Sequence, residues 1–349
     1  MREIAGATVS IAFVGCDLMN AAETHAQAAV AGQRRSVIVS GRRTTTVDVH
    51  AHCAVPQAMA LMGRKVDPQA LIMGPDRIRA MDEQGIDVEA LSINPYWYKA
   101  ERDLARQLIK LQNEKLAELC AAQPDRFVAF ATVALQYPDL AAEQFEEGVK
   151  KHGLRGAAIG ASVNGEELSD EKFHPFWAKA EQLGALVFIH PQGNADLEKR
   201  LRGNGGLGNV IGNPLETTIA LSHLIFEGTL DRFPGLKICA AHGGGYLPSY
   251  AARSDAGCVT FPDRCAKPLK KRPAEYLRQL YFDSIVFTPE ALRHLVAECG
   301  ASQIVLGTDY PFPWTKTAVN HILNTPGLSD AERTAMLGET ASRLLGIKS

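Results

Sequence analysis

The 349-residue chain has almost no charge imbalance: 37 basic residues stand against 39 acidic ones, for a formal net charge of −2. A surface built to hold a polyanion is not expected, so nucleic acid is excluded as a principal partner. No uninterrupted run of 18 apolar residues occurs, so no membrane span is expected. Close cysteine pairs are also missing. Cys16, Cys53, Cys120, Cys239, Cys258, Cys265 and Cys299 are scattered, odd in number and without a CxxC. They predict free thiols in a reducing cytoplasm rather than a disulfide framework. The apolar stretch from Ile4 to Cys16 is short, is broken by Gly6 and Gly15, and lacks a small-residue cleavage site. Export is therefore not expected. Finally, no GxGxxG follows an early strand, which weighs against a dinucleotide-binding open sheet.

What the chain does have is a repeating alternation of short apolar runs and amphipathic stretches. Strands are predicted near residues 48, 90, 130, 157, 188, 238, 281 and 305. Between them, apolar residues at three-to-four spacing predict helices, the strongest at Leu104 to Gln123, where Leu104, Leu108, Leu111, Leu116 and Leu119 form one stripe. Further helices are expected at Pro75 to Gly85, Leu140 to Lys151, Phe173 to Leu183, Leu215 to Thr229, Pro248 to Asp255, Pro289 to Cys299 and Ala331 to Leu345. Eight parallel units over roughly 300 residues fit a closed (β/α)8 TIM barrel of the α/β class, here spanning residues 44–349. Residues 1–43 form an N-terminal extension, with a helix expected at Ala21 to Ala31 and a strand at Arg34 to Ser40. Cys53 to Gly74, with Pro56, Gly63 and Pro68, reads as a loop near the mouth of the barrel.

Potential metal ligands sit at the ends of four predicted strands. His50 and His52 are two apart on one strand, so both side chains face the same way. His190 ends Leu186-Val187-Phe188-Ile189, His242 follows Leu236 to Ala241, and Asp309 follows Ile304 to Leu306. In a barrel all these ends open on one rim. Imidazole nitrogen and carboxylate oxygen suit Zn2+, with Mn2+ as the alternative. A mononuclear site would take His50, His52, His190 and Asp309, leaving His242 beside the ion for acid–base work near neutral pH. A second ion on His242 is the other arrangement. Bridged two-metal hydrolases of this layout use a carboxylated lysine or a glutamate on a middle strand. The predicted strands Phe127 to Val133 and Leu154 to Ile159 end without one.

From about Thr45 onward, these motifs resemble the metal-dependent amidohydrolase superfamily, in particular its aminocarboxymuconate semialdehyde decarboxylase-like branch. The pair at 50 and 52 resembles that family's first-strand motif. Phe188-Ile189-His190-Pro191 and Gly307-Thr308-Asp309-Tyr310-Pro311 resemble its later ligand strands. Gly212-Asn213-Pro214-Leu215-Glu216-Thr217-Thr218, Leu230-Asp231-Arg232-Phe233-Pro234 and Ala241-His242-Gly243-Gly244-Gly245 are similar to segments of that branch.

The resemblance implies non-oxidative decarboxylation of an aromatic or muconate-type carboxylate, with His242 and Asp309 managing protons. A hydratase or carbon–carbon bond hydrolase using metal-activated water is the alternative. It also implies a carboxylate-binding role for Arg253, acting in a partner subunit's site of a homodimer or higher homo-oligomer; an ordinary salt bridge, to Asp255 for instance, is the competing role. Asn194 and Glu216 are further pocket candidates, with a helix-capping role open for Glu216. Phe287 and Trp314 are candidates for stacking on a planar ring. The expected partner is a small anionic aromatic or dienoic carboxylate.

Overall fold

The computed structural model of the protein describes residues 34–65, 74–193, 198–265 and 267–348. Eight short strands make the barrel: β1 Val47–His52, β2 Val88–Ser92, β3 Phe127–Ala129, β4 Gly156–Gly160, β5 Leu186–His190, β6 Lys237–Ala240, β7 Tyr281–Asp283 and β8 Ile304–Val305. All neighbouring pairs within β1 to β3 and within β4 to β8 are parallel. Two seams close the ring. Between β3 and β4, Ala131 N–H donates to Gly156 O (2.8 Å) and Ala158 N–H to Ala131 O (3.0 Å). Between β8 and β1, Val49 N–H donates to Leu306 O (2.9 Å), Asp309 N–H to His50 O (2.8 Å) and His52 N–H to Tyr310 O (2.7 Å).

The strands are short and buried along nearly their whole length because helices cover them on the outside. These are α1 Pro75–Gln84, α2 Arg102–Ala122, α3 Pro138–Lys150, α4 His174–Leu183, α5 Asn213–Phe226, α6 Leu247–Thr260, α7 Pro289–Cys299 and α8 Thr340–Leu345. Pro75, Pro138 and Pro289 stand in first turns, where a missing N–H costs no hydrogen bond. The large apolar core joins helix residues such as Leu108, Phe145, Trp177 and Leu221 to the strands. A second cluster packs Val47, Val49, Phe130, Phe188 and Val305 against Leu344 and Leu345 of α8.

Several local expectations change. The predicted helix from Leu215 to Thr229 is two helices, α5 and Thr229–Arg232, separated at Gly228, whose φ of 80° no helix accommodates. The strand expected at Arg34 to Ser40 narrows to Ile38–Val39, paired antiparallel with Arg42–Arg43. Val37 and Val39 are buried in the core, and Arg34 and Arg43 both pair with Asp87. The helix expected at Ala21 to Ala31 lies outside the described residues, as do residues 66–73 of the loop after β1; that loop also contains the short helix Pro56–Ala60.

The expectation of free thiols throughout is corrected at one place. Cys258 and Cys265 form a disulfide, because the chain turns back just after α6 and brings their Cα atoms to 5.4 Å. Cys53, Cys120, Cys239 and Cys299 are free. No helix among the described residues is long and apolar enough to cross a membrane.

The closing helical segment, Asp330 to Leu345, widens into a π turn at Ala335–Glu339. The turn presents Met336 O to Leu306 N–H (2.9 Å), which ties the segment to the end of β8. Gly338 lies in that turn, and a Cβ there would stand 2.0 Å from Thr45 O. Gly338→Ala is expected to lower stability by about 1–3 kcal/mol through overpacking. An unchanged urea midpoint would show instead that the turn yields without cost.

Candidate metal centre

Each candidate ligand is delivered by a strand end. His50 and His52 close β1, His190 closes β5, His242 follows β6, and Asp309 stands beyond β8 on the loop bonded back to β1. His50 Nε2 lies 3.0 Å from His52 Nε2. Asp309 Oδ1 lies 3.2 Å from the first and 2.9 Å from the second. The His190 ring centre is 5.0 Å from that of His50 and 4.7 Å from that of His52. Ligand atoms of His50, His190, His242 and Asp309 all lie within 4.8 Å of one another. His242 Nε2 is 3.7 Å from Asp309 Oδ2, and its side chain is the most exposed of the group, at 16%. His50, His190, His242 and Asp309 therefore surround one point, His52 adjoins it through His50 and Asp309, and His242 lies on the more open side.

Buried partners set the imidazole tautomers. His50 Nδ1 meets Asp283 Oδ2 at 2.6 Å, so this nitrogen donates to the carboxylate and Nε2 faces the other candidate ligands. Ser92 Oγ donates to Ala51 O and lies 3.0 Å from His52 Nδ1. With that hydroxyl proton on Ala51 O, His52 Nδ1 is the donor to Ser92 Oγ and its Nε2 faces the centre. His50 Nε2, His52 Nε2 and Asp309 Oδ1 thus lie within 3.2 Å of one another, two imidazole nitrogens and a carboxylate oxygen that a shared positive charge holds together. The residues fit a divalent cation on this ground. The Nδ1 atoms of His190 and His242, by contrast, are buried with no hydrogen-bond partner among the described residues.

The electrostatics agree. Burial works against a charge on His50, but the carboxylates of Asp309 and Asp283 outweigh it and raise the imidazole to about 10. Burial brings His52 down to about 4 and takes His190 well below the usual histidine value. Burial also opposes the Asp309 charge, yet the surrounding imidazoles hold that carboxyl well below its ordinary range. The centre attracts positive charge while two of its imidazoles resist protonation, which favours a metal ion over several protons.

Backbone strain accompanies the site. Among the described residues, four non-glycine positions have positive φ, and two of them are His242 (54°) and Asp309 (62°). Such conformations cost ~1–3 kcal/mol each and persist where surrounding contacts over-determine them. At His242 those contacts are its own N–H on Asp283 Oδ2 (2.8 Å) and Gly243 N–H on Oδ1 (2.9 Å). Gly245 lets the chain pass α5 closely, since a Cβ there would stand 2.1 Å from Pro214 O.

The remaining candidates fall in different places. Glu216 is buried on α5 and accepts from Gln192 N–H (2.8 Å), Gly193 N–H (2.7 Å) and Ser162 Oγ (3.1 Å). It organises the loop after His190 rather than capping its own helix. Asn194 lies outside the described residues. Phe287 and Trp314 are exposed, with ring centres 6.2 Å apart, and line a cavity of about 180 Å3 with Ser284, Gly307 and His321. Arg253 is exposed on α6 and forms no hydrogen bond or ion pair among the described residues; Asp255 is instead engaged with Ala274 N–H and Arg272. Asp283, Ser92 and Phe312 were missed as site residues. Asp283 and Ser92 each end a strand, the same signal that pointed to the histidines. Phe312 lies three residues past Asp309, its ring centre 5.5 Å from that of His52.

A buried His/Asp cage on the C-terminal rim of a parallel β/α barrel defines a metal-dependent barrel of the hydrolase type. The chain belongs to the amidohydrolase family, whose model "Amidohydrolase" matches residues 47–347. It is 32% identical over 312 residues to a 2-amino-3-carboxymuconate-6-semialdehyde decarboxylase of Dictyostelium discoideum, covering 86% of this chain and 85% of that protein. Its fold matches 5-carboxyvanillate decarboxylase LigW from Sphingomonas paucimobilis with a TM-score of 0.81 and 25% identity, over 87% of this chain and all of that one (100%). It also matches a dihydroxybenzoic acid decarboxylase from Polaromonas sp. JS666, solved with manganese and the inhibitor 2-nitroresorcinol. That TM-score is 0.76 at 27% identity, over 87% of this chain and 97% of the other.

Because Asp283 holds both His50 and the His242 turn, Asp283→Asn is expected to weaken Mn2+ or Zn2+ binding by about 10- to 100-fold with the fold retained. Chelator competition followed beside circular dichroism checks this. Unaltered affinity would leave Asp283 with a packing role only.

Proposed function

We propose that the protein is a metal-dependent, non-oxidative decarboxylase of a small anionic aromatic or muconate-type carboxylate. The observation that carries this reading is the buried cluster of His50, His190, His242 and Asp309 on the barrel rim, with His52 against His50 and Asp309. His50, His52, His190 and Asp309 are the proposed ligands of one divalent ion. The relative solved with manganese supports Mn2+, and the three-imidazole, one-carboxylate set suits Zn2+ as well. When bound, such an ion supplies a Lewis-acid site for substrate oxygens. A single ion is supported at β4, whose terminal residue Gly160 has no side chain to bridge two ions.

The chain's own groups carry out the rest. Phe312, half-buried beside His52, offers an apolar ring face to a planar substrate. His242 Nε2 faces Asp309 Oδ2, so the two form a pair that can hold and pass one proton. That proton goes to the carbon bearing the carboxylate. The carbon–carboxyl bond then breaks, its electron pair returns to the conjugated system, and CO2 leaves. The strained His242 turn, anchored on Asp283, keeps the imidazole at the open side.

Arg253 is proposed to bind substrate carboxylate in the neighbouring subunit of a homodimer or higher homo-oligomer. Its unpaired, exposed guanidinium supports this, and so do Tyr250, Val259 and Phe261, exposed apolar residues on and just beyond the same helix. A cytoplasmic location is the remaining part of the proposal.

A screen of hydroxylated benzoates and muconate semialdehydes with the metal-loaded protein is expected to release 13CO2 from 13C-carboxyl substrate. His242→Ala should cut kcat by about 100-fold or more. Products heavier by one water, or two acids in place of CO2, would overturn decarboxylation in favour of hydration or carbon–carbon hydrolysis. Arg253→Ala should raise KM roughly tenfold or more, as loss of a charged hydrogen bond implies, with kcat changed less. A fully active monomer in sedimentation would sink the role in trans.

A further inference from the structure

Arg77 lies on α1, outside the ring of proposed ligands, yet it is only 2% exposed. Its guanidinium is held on three sides. Nε donates to Glu89 Oε2 at 2.6 Å, on β2. Nη1 donates to the carbonyl oxygen of His52 at 2.6 Å. The plane sits over the Tyr310 ring at 4.7 Å. His52 and Tyr310 are themselves joined across the β8–β1 seam, where His52 N–H donates to Tyr310 O at 2.7 Å. Both residues belong to the metal cage or adjoin it: His52 is a proposed ligand, and Tyr310 directly follows Asp309, another. Arg77 therefore grips one ligand-bearing backbone by its carbonyl and the other through the neighbouring ring. Its planar fork spans Glu89, His52 O and the Tyr310 ring at once; a lysine ammonium, a compact point charge on a flexible stem, lacks the plane that stacks on the ring and the fixed spacing between donors.

We infer that Arg77 is a positioning residue of the metal centre, clasping His52 and the Asp309–Tyr310 segment across the barrel's last seam so that the two ligands keep their 2.9 Å approach. The backbone bonds at this seam fix the strands' register. They hold Asp309 N–H and Tyr310 O but not the Tyr310 ring, in a loop that Asp309 enters with positive φ. The stacked guanidinium supplies that constraint. Glu89 is in turn the carboxylate that holds Arg77 in place, since it is 1% exposed and Arg77 is its hydrogen-bonded partner.

The inference rests on the reading of the cluster as a metal centre, and the test separates the two. Metal-free protein is titrated with Mn2+, with affinity read by chelator competition and the bound ion's environment by its electron paramagnetic resonance spectrum. Wild type, Arg77→Lys and the double variant Arg77→Met/Glu89→Gln are compared. The double variant removes both buried charges, so that no carboxylate is stranded. Expected are Mn2+ binding 10- to 100-fold weaker in both variants, an altered Mn2+ spectrum, and a smaller gain in Tm on Mn2+ saturation than wild type shows, with circular dichroism unchanged. Wild-type affinity and spectrum in a folded variant would overturn the role of Arg77 and leave the metal centre standing. No Mn2+ binding by wild type would overturn the metal reading itself and the inference with it. Failure of both variants to fold would make Arg77 a determinant of the fold instead, and equally overturns its assignment to the metal site.

Discussion

The geometry at the mouth of the barrel depends on what Asp283 accepts. One oxygen takes the Nδ1 proton of His50 and the backbone N–H of His242; the other takes the N–H groups of Gly243 and Ile285. A carboxylate that is fully buried would ordinarily be costly. Here burial pushes its pKa up, but His50 and the surrounding donors hold it below its usual value. The consequence is positional. The first histidine of β1 and the turn after β6 are referred to the same two oxygens at the end of β7. A change in any one of these strands moves the others.

Four carboxyl groups are also buried in the barrel. Asp48, Glu89, Asp283 and Asp309 are all buried near the ends of β1, β2, β7 and β8. Their partners differ in kind. Glu89 has the Arg77 guanidinium. Asp309 and Asp283 have imidazoles. Asp48 has only dipoles, from the N–H groups of His50 and Thr308 and the Thr308 hydroxyl, and burial with Glu89 nearby pushes it up to about 8. Asp283 and Asp309, whose carboxyls are held below their usual range, favour a cation at the point where the ligand atoms converge. Fold stability and ion binding are thereby linked: the charge that satisfies the centre also relieves the strands that build it.

The helix after the Gly243–Gly245 turn joins this interior to the surface. Its start is set by the close passage of Gly245 over Pro214, and its far end by the Cys258–Cys265 disulfide. Between them it carries an unpaired arginine and an exposed tyrosine. A free arginine is costly in side-chain entropy to immobilise and is of little use to the monomer's stability, which agrees with a role completed by another molecule.

Much of this was readable in the chain itself. Alternation of apolar runs and three-to-four stripes is a local property, so the eight strand positions and the bounds of α7 emerge from residue spacing alone. A histidine at the end of an apolar run is equally local, which is why His50, His52, His190, His242 and Asp309 were nameable before any distance was known. Tertiary structure decided the rest, because it concerns pairs far apart in sequence. Asp283 reaches His50 across 233 residues, and Asp48 reaches Thr308 across 260. No periodicity records such partners. The disulfide escaped notice because a separation of seven becomes 5.4 Å only once the chain turns back after α6. Sequence determined which groups stand on the rim; closure of the ring, with the buried carboxylates that orient each imidazole, decided which of their atoms face a common centre.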